Sequence, residues 1–209
     1  MLKFPQGNIK TMQPQTFIFF GPSGCGKGTQ AKLLMEELKK KDPDKNILYI
    51  ETGKKFREIS ESNSFTAKEI KKVISSGGLL PEFLPIWVFS DCLIQNFSGE
   101  EHLFFDGSPR RLEEAKVLDS AIKFYERENP VIISTEVSDE WATKLLKGRG
   151  RNDDNDEEIK KRLGWYKENT VPAVEYFKNN PYYKFISING EQTIEEVHKE
   201  VMEKVGFSA

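Results

Sequence analysis

A strand-like segment that runs directly into a glycine-rich loop and then into a helix is the strongest constraint on this fold. Residues 16–27 read TFIFFGPSGCGK, and Gly21, Gly26 and Lys27 have the spacing of a phosphate-binding loop, or P-loop. Glycines allow main-chain N–H groups to approach an anion closely. The following helix directs its positive end to the same place. The segment therefore predicts a site for nucleotide phosphates.

The residue after Lys27 departs from the usual P-loop. A hydroxyl that can bind Mg²⁺ is expected there, but the chain has Gly28, and the hydroxyl comes one residue later at Thr29. Nucleotide-dependent switches need that hydroxyl and a catalytic glutamine or its equivalent. The chain instead has DGSPR after its third strand-like segment. The pattern argues against a switch and leaves a different kind of nucleotide-binding protein.

Apolar runs that suit buried strands alternate with amphipathic segments. We predict strands at 16–20, 47–50, 102–105, 131–135 and 185–188. We predict helices at 27–41, 66–76, 82–97, 111–127, 138–147, 154–179 and 193–205, with a further helix starting at Thr52. This alternation predicts an α/β fold with a parallel sheet covered on both faces. Ligands of such sheets bind beyond the carboxyl ends of the strands.

Polar residues follow the second and third predicted strands. Thr52, Gly53 and Arg57 come after the second, where an N-cap and a surface arginine would also explain them. Asp106 ends the third strand, where a carboxylate can orient water on a metal ion, and Arg110 follows a Gly-Ser-Pro turn. Turn chemistry explains the glycine and proline. It does not explain an aspartate and an arginine at the same edge.

A charged segment, GRGRNDDNDEEIKKRL, follows the fourth strand. It contains Arg149, Arg151 and Arg162, with Asp153 and Asp154 at the start of a helix. Taken alone, the segment reads as a solvated charge run whose acids lie favourably at a helix N-terminus.

Charge and cysteine content exclude several classes of protein. The 31 Lys and Arg residues nearly balance 33 Asp and Glu, so no global field attracts nucleic acid or an anionic membrane. Two cysteines are too few for a disulfide framework. No apolar run approaches the roughly 20 residues of a membrane span. We expect a soluble cytoplasmic protein with no nucleic-acid or membrane partner.

Five segments, taken in order, resemble the successive motifs of the adenylate kinase family of nucleoside monophosphate kinases: GPSGCGKGTQAKLL, TGKKFR, GGLLP, DGSPRRLEEA and GRGRNDDNDEEIKKRL. The resemblance extends from about Phe17 to the final helix. It implies one P-loop nucleoside monophosphate kinase domain over 1–209, with a five-stranded parallel sheet flanked by helices. It also implies a monophosphate-binding (NMP-binding) insertion at 52–81 and a short lid at 148–156. This lid has no room for zinc and no Cys or His to ligate it.

The resemblance also implies a role for each matching residue. Catalytic residues would be Lys27, Arg110, Arg149, Arg151 and Arg162. ATP would be bound by Gly21, Ser23, Gly24, Cys25, Gly26, Lys27, Gly28, Thr29, Lys144 and Arg149. AMP would be bound by Thr52, Gly53, Arg57, Leu80, Gly107, Arg110, Glu114, Arg151 and Arg162. Asp106 and Thr29 would act on Mg²⁺ indirectly, through water.

The implied activity is the reversible, Mg²⁺-dependent transfer of the γ-phosphoryl group of ATP to AMP, which gives two ADP, by a monomer. One alternative is a kinase whose acceptor is GMP, CMP or UMP. Another is a nucleotide-binding module without transfer activity, although the retained lysine and arginines argue against it.

The sequence departs from the family pattern at four positions. Glu114 stands where a glutamine usually reads the acceptor adenine; an ionised carboxylate only accepts hydrogen bonds, so it suits the adenine amino group but pairs better with guanine. Glu114 could instead be half protonated or turned away. Lys144 stands where an arginine often stacks on the donor base, which predicts looser donor selectivity. Ser108 and Gly78 replace larger residues and predict a roomier acceptor pocket.

Overall fold

A computed structural model describes residues 12–150 and 154–207 of the chain. Its strands are β1 (Thr16–Phe20), β2 (Ile47–Glu51), β3 (His102–Asp106), β4 (Val131–Glu136) and β5 (Lys184–Asn189). They form one sheet in the order β2-β3-β1-β4-β5, and every neighbouring pair is parallel. The five predicted strands and the α/β fold class are confirmed.

Helices surround the sheet. They are α1 (Lys27–Lys41), α2 (Thr52–Ser60), α3 (Phe65–Ser75), α4 (Phe83–Asn96), α5 (Leu112–Phe124), α6 (Asp139–Arg149), α7 (Asp156–Trp165), α8 (Val171–Lys178) and α9 (Ile194–Val205). Four of them begin at a polar side chain that accepts a hydrogen bond from the first turn: Ser64, Ser138, Asn155 and Thr193. Across residues 12–150 and 154–207, no helix combines the length and apolarity that crossing a membrane requires.

Both faces of the sheet are covered because side chains alternate along each strand. Phe17 and Phe19 of β1 pack in the cluster formed with α1 and α9. Ile18 and Phe20 of the same strand pack in the opposite cluster, with α4, α5 and α8. All four side chains are at most 2% exposed. This central strand therefore holds the P-loop, which follows it directly, on a rigid base.

The helix predicted at 154–179 is wrong as a single element. It is interrupted by a π-helical turn at Tyr166–Thr170, which separates α7 from α8. Pro172 has no N–H for the α-helical ladder, and the N–H of Val171 donates to the carbonyl of Tyr166, five residues back. Single π turns inside helices are rare and occur frequently at functional sites.

Residues 52–81, predicted as the NMP-binding insertion, contain α2 and α3 and the turn that follows. Their small apolar cluster includes Phe56, Ile70 and Leu80 and continues onto Leu84 of α4. The helical pair thus packs on α4, and α2 begins directly after the carboxyl end of β2. The division of the chain into core, insertion and lid stays a prediction.

Candidate active site

A cavity of about 710 Å³ lies at the carboxyl end of the sheet. The P-loop and the start of α1 form one side, and α2, the 77–80 turn and the residues after β3 form another. The cavity is completed by α6, α7 and the loop between β5 and α9. Its position is the one expected for a parallel α/β sheet.

The P-loop is held in its conformation by glycines at positive φ. Gly21, Gly24 and Gly26 have φ of 143°, 85° and 85°. A Cβ built on Gly21 would lie 2.5 Å from the Sγ of Cys25, and one on Gly24 would lie 2.6 Å from the carbonyl oxygen of Ala142 on α6. The loop therefore needs glycine both for its backbone conformation and for its contact with α6.

Lys27 lies at the first position of α1. Its Nζ donates to the carbonyl oxygen of Pro22 at 3.2 Å, so the side chain folds back across the loop. Gly26 is the N-cap and has no side chain to occupy the helix end. Free N–H groups of the helix start and the Lys27 ammonium consequently face the same cavity, an arrangement that binds phosphate.

A side chain at position 28 would crowd Asp106, which gives a steric reason for Gly28. A Cβ built on Gly28 would lie 3.1 Å from Oδ2 of Asp106, closer than ordinary contact. The same oxygen accepts a hydrogen bond from the hydroxyl of Tyr49 at 2.9 Å. Burial, together with the nearby Asp106, raises the pKa of Tyr49, which keeps its hydroxyl a donor. Sequence reasoning missed Tyr49; its only signal is a polar hydroxyl on the strand next to β3.

Oxygen atoms near Gly28 would suit a hydrated divalent cation carried by phosphate. Asp106 supplies a carboxylate there and Thr29 a hydroxyl, and both line the cavity. Within residues 12–150 and 154–207, no group of three or more His, Cys, Asp or Glu is placed to hold a metal ion. The oxygen atoms of Asp106 and Thr29 are of the kind that Mg²⁺ prefers.

Arg110 is fixed at several points on the opposite side. Its Nε donates to the carbonyl of Gly107 at 2.7 Å, and its main-chain N–H donates to Oε2 of Glu114 at 2.8 Å. Its own carbonyl accepts from the hydroxyl of Thr170 at 3.0 Å. Burial lowers the pKa of the Arg110 guanidinium, although Glu114 and Asp106 oppose that shift. A half-buried cation held in this way is suited to an anionic ligand.

Glu114 is 1% exposed and lines the same cavity. Its Oε2 accepts from the hydroxyl of Ser108 at 3.0 Å as well as from Arg110. Its Oε1 is buried and has no hydrogen-bond partner among the described residues. Burial raises the pKa of Glu114 against the opposing effects of those donors. The carboxyl is thus anchored on one oxygen, and the other would accept when ionised or donate when protonated.

The residues of α6 that line the cavity differ from the one that the sequence predicted. Lys144 is exposed and does not appear among the described residues that line the cavity; its Nζ lies 5.9 Å from the centre of the Trp141 ring. Trp141 and Leu145 line the cavity instead. They lie four residues apart, on one face of the helix. The part given to Lys144 stays a prediction, and Trp141 is a cavity residue that sequence reasoning missed.

Asp154 brings two of the predicted arginines together. It accepts from Arg149 through Nε at 2.9 Å and Nη2 at 2.7 Å, and from Nη2 of Arg162 at 2.7 Å. The Asp154 side chain is only 2% exposed. Arg151 and Asp153 lie outside the described residues. One carboxylate therefore links two guanidinium groups, one from α6 and one from α7, at the cavity edge.

Most residues predicted to bind or act on nucleotide border the cavity: Ser23, Gly24, Cys25, Gly26, Lys27, Gly28, Thr29, Gly53, Arg57, Leu80, Asp106, Gly107, Arg110, Glu114, Arg149 and Arg162. Gly21 borders a smaller neighbouring cavity. Thr52 is buried behind Gly107, where a Cβ would lie 3.2 Å from its Oγ1. The fold gathers these residues in one place, while their individual roles stay predictions.

Comparison with known proteins gives a consistent result. The sequence model of the adenylate kinase family matches residues 19–182. An adenylate kinase of Leptospira biflexa is 33% identical over 192 residues, which cover 90% of this chain and 98% of the relative. An adenylate kinase of Flavobacterium psychrophilum is 34% identical over 193 residues, which cover 90% and 96%.

Proposed function

This chain belongs to the adenylate kinase family, and we propose that it transfers the γ-phosphoryl group of ATP reversibly to AMP, giving two ADP. The observation that carries the proposal is a single cavity bordered both by the P-loop, with Lys27, and by Arg110. An enzyme that joins two nucleotides needs two anion sites facing each other across one space. Phosphoryl transfer asks little covalent chemistry of the protein, so placing the two substrates supplies most of the catalysis.

The P-loop would hold the donor phosphates. Its main-chain N–H groups and the start of α1 would contact them, and Lys27 would leave the carbonyl of Pro22 to reach the terminal phosphates. Mg²⁺ bound with ATP would neutralise charge on the donor. Asp106, held by Tyr49, would accept hydrogen bonds from its water, with Thr29 alongside. Gly28 supports this assignment because any side chain there would crowd Asp106.

The residues after β2 and β3 would hold the acceptor. Arg110 and Arg57 would bind its phosphate; Arg57 pairs with Glu51 at 3.1 Å in the structure and would exchange that contact for the ligand. Thr52, Gly53, Gly107 and Leu80 would form the surrounding wall. Glu114 would face the base through its Oε1, either accepting from the adenine amino group or, when protonated, donating to a ring nitrogen.

Arginines of the lid and of α7 would act on the transferred phosphoryl group. Arg149 and Arg162 would turn from Asp154 towards the negative charge between the two nucleotides, and Arg151 would act with them. Guanidinium groups can contact several phosphate oxygens at once. Closing the cavity would also exclude water, which would otherwise compete with AMP for the phosphoryl group.

The enzyme would act as a monomer in the cytoplasm. Support for a reducing compartment is that the two cysteines, Cys25 and Cys92, are both free. Sedimentation of the purified protein would test the first point.

A panel of acceptors tests the proposal. Purified protein is incubated with ATP and Mg²⁺ together with AMP, GMP, CMP or UMP, and products are separated by chromatography. We expect diphosphate product fastest from AMP. A faster reaction with GMP would favour the second candidate, a kinase for another monophosphate, and the buried carboxyl of Glu114 is the observation that keeps it in view. No product from any acceptor would overturn the enzymatic proposal.

A further inference from the structure

Trp165, the last residue of α7, touches two separate parts of the acceptor side. Its Nε1 donates to the carbonyl oxygen of Gly77 at 2.9 Å. The Cζ atom of Arg110 lies 5.9 Å from the centre of its ring. We propose that Trp165 is a positioning residue for the acceptor phosphate: it sets the orientation of the Arg110 guanidinium and fixes the end of the 52–81 insertion against α7. This inference rests on the proposed function.

Arg110 is held by three hydrogen bonds apart from its contact with Trp165. Its main chain and its Nε are already bonded to Glu114, Thr170 and Gly107. These contacts leave the flat face of the guanidinium to be set by packing, and the Trp165 ring occupies that position. Desolvated contacts between a cation and an indole are favourable.

The resulting direction of Arg110 is specific. A Cβ built on Gly107 would lie 3.4 Å from Nη2 of Arg110, and one on Gly53 would lie 3.9 Å from the same atom. Nη2 therefore points at the first turn of α2, a helix of nine residues whose N-terminal N–H groups also favour an anion. Without the ring, the guanidinium could rotate away from that point.

The turn at Gly77, near the end of the 52–81 insertion, packs against α7. Gly77 has φ of 65°, and a Cβ built on it would lie 3.1 Å from the Cβ of Glu158 on α7. Glu158 and Trp165 are seven residues apart and so lie on the same face of that helix. The turn that ends the insertion is thus packed on α7 at one point and hydrogen-bonded to it two turns further on. Arg162 belongs to the same helix, so the acceptor wall and this predicted catalytic arginine share one support.

The π turn after Trp165 adds to this arrangement. Thr170, at the end of the turn, donates to the carbonyl of Arg110. One short segment, 165–170, therefore holds Arg110 by its side chain and by its main chain. A tryptophan with only a packing role would not have to line the cavity or donate a hydrogen bond to the carbonyl of Gly77.

Two substitutions separate the contacts. Trp165→Phe keeps a ring for Arg110 and removes the indole N–H, whereas Trp165→Leu removes both. With ATP saturating, we expect Trp165→Phe to raise the KM for AMP by about threefold to tenfold, the range that one lost hydrogen bond gives. Trp165→Leu is expected to raise it further and to lower kcat, while the KM for ATP changes less than about twofold in both. Trp87→Phe, at an exposed position of α4, is the matched control and should match the wild type.

A fluorescence measurement separates positioning from general stability. The chain has three tryptophans, so Trp87→Phe combined with Trp141→Phe leaves Trp165 as the sole emitter. We expect AMP alone, without ATP, to change its emission. An unchanged KM for AMP in both Trp165 variants would overturn the inference, as would equal rises in both KM values accompanied by a lowered Tm. If Trp165→Leu does not fold, Trp165→Phe decides. If the wild type makes no product from any acceptor, the proposed function fails, and the response of Trp165 to AMP still decides whether this residue senses the ligand.

Discussion

The proposed donor end of the cavity is formed mainly by main-chain groups of one continuous segment, whereas the proposed acceptor end is assembled from side chains of several distant elements. The P-loop, residues 21–29, needs its glycines and Lys27, and little else specifies it. Arg110 depends on contacts with Glu114, Thr170 and Trp165, the last of which lies 55 positions along the chain. A site made from the backbone is tolerant of sequence outside its motif, while a site made from packed side chains can be retuned one residue at a time.

The comparison predicts its largest effect at Lys27. Lys27→Ala should lower kcat by about a hundredfold to a thousandfold, because no other side chain of the loop carries a positive charge to the donor phosphates. Steady-state kinetics measure this change. Lys40→Ala, at the exposed end of α1, is the control and should act like the wild type. Near-normal turnover of Lys27→Ala would remove the lysine from the proposed mechanism.

A somewhat smaller effect is expected at Arg110. Arg110→Ala should lower kcat/KM for AMP by about a hundredfold and leave ATP affinity within about twofold, since it removes a charge from the acceptor end only. Binding of ATP by calorimetry, together with AMP kinetics, separates the two ends. Lys116→Ala, an exposed cation on α5, controls for loss of charge. Equal losses for both nucleotides would show that the two ends are not independent.

A substitution at Gly28 tests whether the donor end can accommodate an added side chain next to Asp106. Gly28→Ala places a methyl group 3.1 Å from Oδ2 of Asp106 and should lower kcat by about tenfold and raise the Mg²⁺ concentration needed for half-maximal rate. Gly164→Ala is the matched control, because a Cβ there meets nothing within 4 Å. It should leave activity unchanged and add about 0.5–1 kcal/mol to the free energy of unfolding. An unaffected Gly28→Ala enzyme would mean that Asp106 can move at no cost.

The smallest effect, and the most informative about the acceptor base, is expected at Glu114. Glu114→Gln should raise the ratio of AMP to GMP turnover by a few fold, since an amide both donates and accepts. Stability should change with a definite sign. Burial raises the pKa of Glu114 in the folded protein, so its contribution is greatest at low pH and is lost as pH rises through that pKa. Glu114→Gln should therefore be more stable than the wild type at pH 7, and this difference in stability should be smaller near pH 4. A constant difference across that range, or an unchanged base ratio, would contradict this account.

The parts of the molecule that sequence reasoning predicts are those with local signals. The strands are short apolar runs, the P-loop is a contiguous motif, and α1 begins at the predicted Lys27. The order of motifs also placed Arg57, Arg110 and Arg162 at one cavity. These features depend on spacing along the chain, which a single sequence displays.

The features that sequence reasoning missed depend on tertiary contacts. The indole of Trp165 meets a carbonyl 88 positions away, and Tyr49 meets a carboxylate 57 positions away. Neither pair has a local pattern. The π turn at Tyr166–Thr170 left one signal, Pro172, in an otherwise continuous helical pattern. A proline near a helix start and one that interrupts a helix differ only in how the neighbouring backbone packs.

We propose that both nucleotides meet in this one cavity, so that the phosphoryl group passes directly from ATP to AMP. Phosphorus NMR of the purified protein with ATP, Mg²⁺ and AMP tests it most directly. The account predicts that two ADP form for each AMP consumed, with no inorganic phosphate. Release of inorganic phosphate while AMP remains unchanged would contradict it.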